Sequence, residues 1–393
     1  MHTYKRNLYS LYLIKVAKWF MLHMPIVVLF YQENGLNLQN TLSLQAIYSV
    51  AIILLEVPSG YLADVWGRRN TLILGAFLGV IGFSVYSCSS NFYGFLTAQL
   101  ILGTGQSFIS GSDSALLYDT LKVFGKEKEY VKYEGRLLSI GNFAETIAAI
   151  LGGLLAEISL RTPFYWQILV TALAIPAAFS IVEPQLYSGN KNMGIKHIFS
   201  IVKLSIFKSR QLFTNIFFSA VIGCATLSMA WFLQAYLVDV QGFSEYQIGI
   251  AWSVLNLTVG ISTILAYQIE KKLGRKATIF MILFITSFAY ILIGSINSIF
   301  VFIIIWLFYF TRGVATPVLK NYINELCEPN VRATILSIRN LVIRLLFAVF
   351  GPFIGWFADV YTIQQAFILS GILCLIIGSF AFILYIPFLK NNK

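Results

Sequence analysis

The sequence predicts an all-α integral membrane protein, with twelve transmembrane helices in two pseudo-symmetric six-helix bundles. Three observations lead there. The first is composition: 58% of the 393 residues are hydrophobic and only 11% are charged, whereas a soluble domain carries about 25% charged residues. The second is the recurrence of apolar runs of about 20 residues, the length that crosses a hydrocarbon core of about 30 Å. Only helices and closed barrels satisfy their backbone groups in that medium. These runs are continuous rather than alternating at period two, which excludes a porin-type barrel. The third is that short sequences in the first half return at matching places in the second.

The first span, near 8–31, follows basic residues in MHTYKRNLYSLYLIKVAKWFML. Lys15 and Lys18 interrupt it and no small-x-small cleavage site follows, so it reads as a retained helix rather than a signal peptide. The polar turn QENGLNLQN then leads into a second span near 42–63. GYLADVWGRR closes that span and opens the third, near 71–88. The fourth, near 93–120, contains the polar stretch SGSDSALLYD. The fifth and sixth lie near 135–156 and 164–183. After a long polar interval come spans near 212–237, 246–268, 277–295 and 299–321. The turn CEPNVRA separates these from the last two, near 333–357 and 364–388. Gly, Pro and Asn mark the turns. The predicted organisation is therefore an N-terminal six-helix bundle over 1–183, a cytoplasmic linker over 184–211 and a C-terminal six-helix bundle over 212–393. Within the linker, GIKHIFSIVKLSIFKSR places Ile195, Ile198, Phe199, Val202 and Ile206 on one helical face, the pattern of a helix lying at the headgroup layer.

Charge sets the expected orientation. With the N-terminus in the cytoplasm, the inward loops and tails hold most of the 28 basic residues, among them Arg68, Arg69, Lys126, Lys128, Lys271, Lys272, Arg275 and Lys276. The outward loops hold only Arg161. That bias predicts a multi-pass protein of the cytoplasmic (inner) membrane with both termini inside. The net charge of +11 follows loop position rather than gathering on a soluble module, so nucleic acid is not an expected partner.

Two echoes support duplication. LLSIGN (137–142) returns as ILSIRN (335–340), and VWGRRNTLI (65–73) returns as KLGRKATIF (272–280). The stretch Gly60-x-Leu62-Ala63-Asp64-x-x-Gly67-Arg68-Arg69-x-x-Leu72 resembles the motif between helices two and three of the major facilitator superfamily. A degenerate second copy stands at Gly274-Arg275-Lys276. The resemblance covers the whole chain and implies a transporter of two six-helix bundles. It further implies a conformational latch made of Gly60, Asp64, Gly67, Arg68 and Arg69. In the family the aspartate lies near the cytoplasmic N-terminal end of helix eleven when the outside is open. Its charge there would be worth roughly 0.3–2 kcal/mol, small enough for two orientations to remain in exchange.

Ionisable groups within spans are costly and point to function. In the first half these are Glu56, Asp113 and Glu145, with Lys15 and Lys18 in helix one. In the second half they are Arg312, Arg339 and Arg344, with no mid-span acid. Asp113, flanked by Ser110, Ser112 and Ser114, is the first candidate for proton coupling; Glu56 and Glu145 follow. Lys18, Arg312, Arg339 and Arg344 are candidates for substrate or ion-pair contacts. Glu56 and Arg339 lie at similar depths, roughly 10–12 Å from the inner surface at 1.5 Å per residue. Helices two and eleven face each other in the superfamily, so a Glu56–Arg339 pair is expected in one orientation. Lys15 is shallow enough to snorkel to the headgroups, and Lys18 is placed to pair with Glu145 or hold an anionic group.

The four cysteines show no metal or disulfide spacing and read as packing residues. No catalytic motif, phosphate loop or metal cluster occurs in the sequence, so no enzyme, cofactor or metal is expected. The expected partners are a small-molecule substrate, protons and the lipid bilayer, and the expected state is a monomer. The resulting functional expectation is a proton-coupled secondary transporter working by alternating access. Efflux of drug-like compounds is slightly favoured over uptake of a nutrient or anionic metabolite. Two departures weigh against export. Gln99 stands where proton-driven drug exporters carry an arginine, and Ala148-Ala149 stand where helix five usually carries Gly-Pro.

Overall fold

The computed structural model describes residues 2–126, 129–184, 209–296, 298, 300–326 and 332–389. Among these residues the regular structure is helical and no strand occurs. The first part of the chain forms α1 (His2–Trp19), α2 (Val27–Glu33), α3 (Leu38–Trp66), α4 (Arg68–Cys88), α5 (Phe92–Val123), α6 (Tyr130–Ala156), α7 (Thr162–Ala172) and α8 (Ala174–Ser180). The second forms α9 (Arg210–Asp239), α10 (Glu245–Leu273), α11 (Arg275–Ser295), α12 (Val301–Asn324), α13 (Arg332–Val360) and α14 (Ile363–Leu389). Ten helical stretches among the described residues are long and apolar enough to cross a membrane. The first span carries too many charges to stand out by that measure, and α5 accounts for the predicted fourth span. The expected linker helix at 195–206 lies outside the described residues.

Two predicted spans are broken, and proline explains both. The first, expected as continuous over 8–31, stops at Trp19 and resumes at Val27 through turn-type bonds such as Met24 N–H to Met21 O and Ile26 N–H to His23 O. Pro25 has no N–H for the carbonyl four residues back, and its ring disfavours helix in the residue before it. The sixth span divides at Leu173 into α7 and α8, because Pro176 leaves the carbonyl of Ala172 without its helical donor.

The chain forms two compact units. The first comprises Met1–Leu36, Ile47–Lys191 and Gly242–Ser253; the second comprises Asn37–Ala46, Asn192–Gln241 and Val254–Lys393. In the first, α4 packs along α5 and against α7 and α8, while α1 packs on α6 and α8. Its core includes Leu11, Ile14, Leu72, Leu116, Leu121 and Ala178. In the second, α14 packs on α11 and α9, and α9 also packs on α13. Its core includes Phe218, Ile279, Ile282, Val314, Leu319 and Tyr322. Lipid offers no hydrophobic drive between helices, so close packing at small residues and interhelical hydrogen bonds contribute the attraction. Outward-facing side chains such as Leu54, Ile264, Val349 and Phe380 are apolar and exposed, as hydrocarbon contact requires.

Candidate functional site

The Gly60–Arg69 stretch folds into a one-residue turn. Helix α3 ends at Trp66 and α4 begins at Arg68, with Gly67 between them at φ 99°. A side chain would be strained in that conformation, so the turn requires glycine. The first N–H groups of α4 need acceptors. Glu183, just beyond α8, supplies both: its Oε1 accepts from Arg68 N–H at 2.9 Å and its Oε2 from Arg69 N–H at 2.7 Å. The Arg68 guanidinium then pairs with Asp119 and donates to Ala115 O at 2.8 Å. Arg69 donates to Phe179 O at 3.1 Å. The two arginines therefore bolt the turn to the ends of α5 and α8 within the first unit. The side chain of Asp64 lies outside what the structure describes.

The second copy repeats this design with different partners. Gly274 turns at φ 76° between α10 and α11. Thr71 Oγ1 donates to Gly67 O at 2.9 Å, and Thr278 Oγ1 donates to Gly274 O at the same distance. Arg275 pairs with Glu325 at 3.0 Å, 50 positions along, as Arg68 pairs with Asp119, 51 positions along. The Arg275 guanidinium also sits 3.9 Å from the centroid of the Tyr322 ring, and Tyr322 donates to Glu270 Oε1 at 3.0 Å.

A second polar cluster lies inside the first unit. Lys15 on α1 and Asp113 on α5 are each 8% exposed, and the Lys15 ammonium stands 3.6 Å from Asp113 Oδ2. Asp113 Oδ1 accepts from Ser114 N–H at 2.7 Å. Ser114 Oγ donates to Glu134 Oε1 on α6 at 3.0 Å. At the start of α6, burial and then the neighbouring Glu134 push the Tyr130 hydroxyl above its ordinary range. Lys15 therefore reaches inward to an acid rather than outward to headgroups. Lys18, one turn further along α1, is half-buried and has no hydrogen bond or ion pair to another described residue.

The remaining predicted groups are dispersed. Glu56 is exposed and Glu145 half-buried. Arg312 lies over the Tyr309 ring, with 5.5 Å to the centroid. Arg339, 6% exposed, donates from Nε to Ser219 Oγ and from Nη1 to Asn340 Oδ1, the latter at 3.2 Å. Arg344 is half-buried. Gln99 is buried and donates to the Tyr31 hydroxyl at 2.8 Å. Sequence reading missed Glu183 and Glu134. Glu183 adjoins Pro184 at a span end, where an acid can meet a helix N-terminus; Glu134 stood just outside the predicted fifth span.

Two helical units with a repeated arginine turn, and a buried ion pair within one of them, define a membrane transporter fold. The sequence matches the Major Facilitator Superfamily over residues 9–315 and again over 271–392, and the chain belongs to that family. It is 22% identical to the uncharacterized MFS-type transporter YxaM of Bacillus subtilis (strain 168), over 94% of this chain and 92% of that one. It is also 22% identical to the class H tetracycline resistance protein of Pasteurella multocida, over 86% of this chain and 83% of the relative. The crystal structure of the nucleoside transporter NupG superposes with a TM-score of 0.80 at 14% identity, covering all of both chains.

Proposed function

We propose that this chain is a secondary active transporter of the cytoplasmic membrane, coupled to protons and exporting a drug-like solute. The observation that carries the reading is the Lys15–Asp113 pair, an acid and a base buried together inside membrane spans. Such a pair is expensive to bury, and ionisable groups kept within spans at that cost point to a functional role, here a partner that changes charge or ligand during a cycle. The chain's overall similarity to a tetracycline resistance protein supports export. One proton moving inward across 100 mV supplies about 2.3 kcal/mol, enough to bias an equilibrium between two orientations.

The test uses purified protein in vesicles with an imposed pH gradient and tetracycline as the probe. The expected result is gradient-driven tetracycline movement that Asp113→Asn abolishes, while tetracycline exchange without a gradient persists. Gradient-driven movement unchanged by Asp113→Asn would overturn the coupling role. A second reading, uptake of an anionic nutrient or metabolite, is favoured by Lys18, which lies one turn from the pair, shares the field of Asp113 with Lys15 and makes no ion pair of its own among the described residues. Succinate accumulation in the same vesicles, lost in Lys18→Gln, would select it over export.

A further inference from the structure

The motif GYLADVW at residues 60–66 ends the second predicted span. It has a further copy, GWFADVY, at residues 355–361, which ends the eleventh. Glycine, alanine, aspartate and valine keep their places, the two aromatic positions (Tyr61 and Trp356, Trp66 and Tyr361) are shared, and Leu62 is replaced by Phe357. In both copies the glycine precedes the aspartate by four residues, so the two lie on one face of a helix, one turn apart.

The later copy is engaged. Asp359, at the end of α13, takes the two leading N–H groups of α3: Oδ1 accepts from Leu38 N–H at 2.9 Å and Oδ2 from Gln39 N–H at 2.7 Å. All of these residues belong to the second unit. The local cap of α3, Asn37, reaches only the next donor, Asn40 N–H, at 2.8 Å. The carboxylate thus completes a cap that the sequence around α3 leaves unfinished, and its charge sits at the positive end of that helix. One turn back, Gly355 makes the approach possible. A Cβ there would stand 2.8 Å from Leu42 Cδ1 and 2.9 Å from Leu38 O. A Cβ on Gly60, in the earlier copy, would meet nothing within 4 Å.

A useful contrast comes from the start of α10. There Ser244 and Gln247 cap one another, Ser244 N–H to Gln247 Oε1 at 3.0 Å and Gln247 N–H to Ser244 Oγ at 3.3 Å. A helix that caps itself needs no distant acid. Helix α3 depends on one 321 residues away.

We propose that Gly355 and Asp359 form a second latch, at the end of α3 opposite Asp64, closed in this structure and released during the transport cycle. Helix α3 then carries an acid-to-helix-end contact at its first turn and the family motif at its last. The release step rests on the transporter reading above; the contact itself does not.

The test uses the purified full chain with Cys88, Cys224, Cys327 and Cys374 replaced by serine, and Leu42→Cys as reporter. Leu42 is fully buried, so its maleimide labelling reports how often the first turn of α3 leaves α13. Asp359→Ala should raise the labelling rate about tenfold, the effect of losing a helix cap of ordinary strength, and Asp359→Asn should raise it less. An unchanged rate in Asp359→Ala overturns the latch. Should the serine background fail to fold, amide exchange over residues 37–46 replaces it: faster exchange in Asp359→Ala supports the latch and equal exchange overturns it. A Gln39→Cys/Asp359→Cys disulfide should stop tetracycline movement in vesicles until reduced, and movement at the unlocked rate overturns the release step. If the unsubstituted protein moves no tetracycline, the export reading fails while the labelling result still decides the latch.

Discussion

At the residue scale, the Lys15–Asp113 pair shows how burial turns two ordinary ions into a dependent unit. Each partner is 8% exposed, so removing one strands the other charge away from water. Lys15→Met should therefore destabilise the first unit by about 3–5 kcal/mol. Lys15→Met combined with Asp113→Leu should recover most of that loss, because an apolar pair carries no desolvation cost. Thermal unfolding in detergent measures both; equal stability of the single and double variants would mean the pair is not coupled. The echo between LLSIGN and ILSIRN teaches a related lesson. At the shared position Gly141 packs under Trp19, since a Cβ there would lie 3.1 Å from Trp19 Cγ. Arg339 fills the equivalent place in the second unit and reaches Ser219. A duplicated helix has kept its fold while exchanging a packing glycine for a buried cation.

At the scale of elements, the turn between α3 and α4 shows what the motif's arginines hold. They link α4 to α5 through Asp119 and Ala115, and Glu183 closes the N-terminus of α4 from the end of the sixth span. Glu183→Gln removes the charge at that helix end and allows only one of the two N–H contacts to be kept. It should cost roughly 0.5–2 kcal/mol, seen as faster amide exchange over residues 68–72, with little change in α9–α14. Uniform change across both units would contradict a local role. The broken first and sixth spans belong to this scale too. Pro25 and Pro176 were visible in the sequence, but hydropathy windows average over single residues and so miss the missing donor.

At the scale of the whole molecule, the family motif predicts a latch at Asp64. Asp64→Asn should lower tetracycline movement while leaving membrane expression intact, and normal movement would remove the latch from the mechanism. The sequence by itself determined the membrane class, the duplicated helices and the arginine turn, because hydropathy, charge bias and a short glycine-rich motif are properties of neighbours along the chain. It also singled out Asp113, Lys15 and Lys18, since any ion within an apolar run is conspicuous. It did not pair Lys15 with Asp113, bring Glu183 and Glu134 into the picture, or connect Asp359 to the start of α3. Those contacts join residues 20 to 321 positions apart, and a carboxylate's partner is chosen by which helix ends and cations the packing brings within 3–4 Å. Only the tertiary structure decides that, because an electrostatic contact of this kind depends on distance and burial rather than on sequence order.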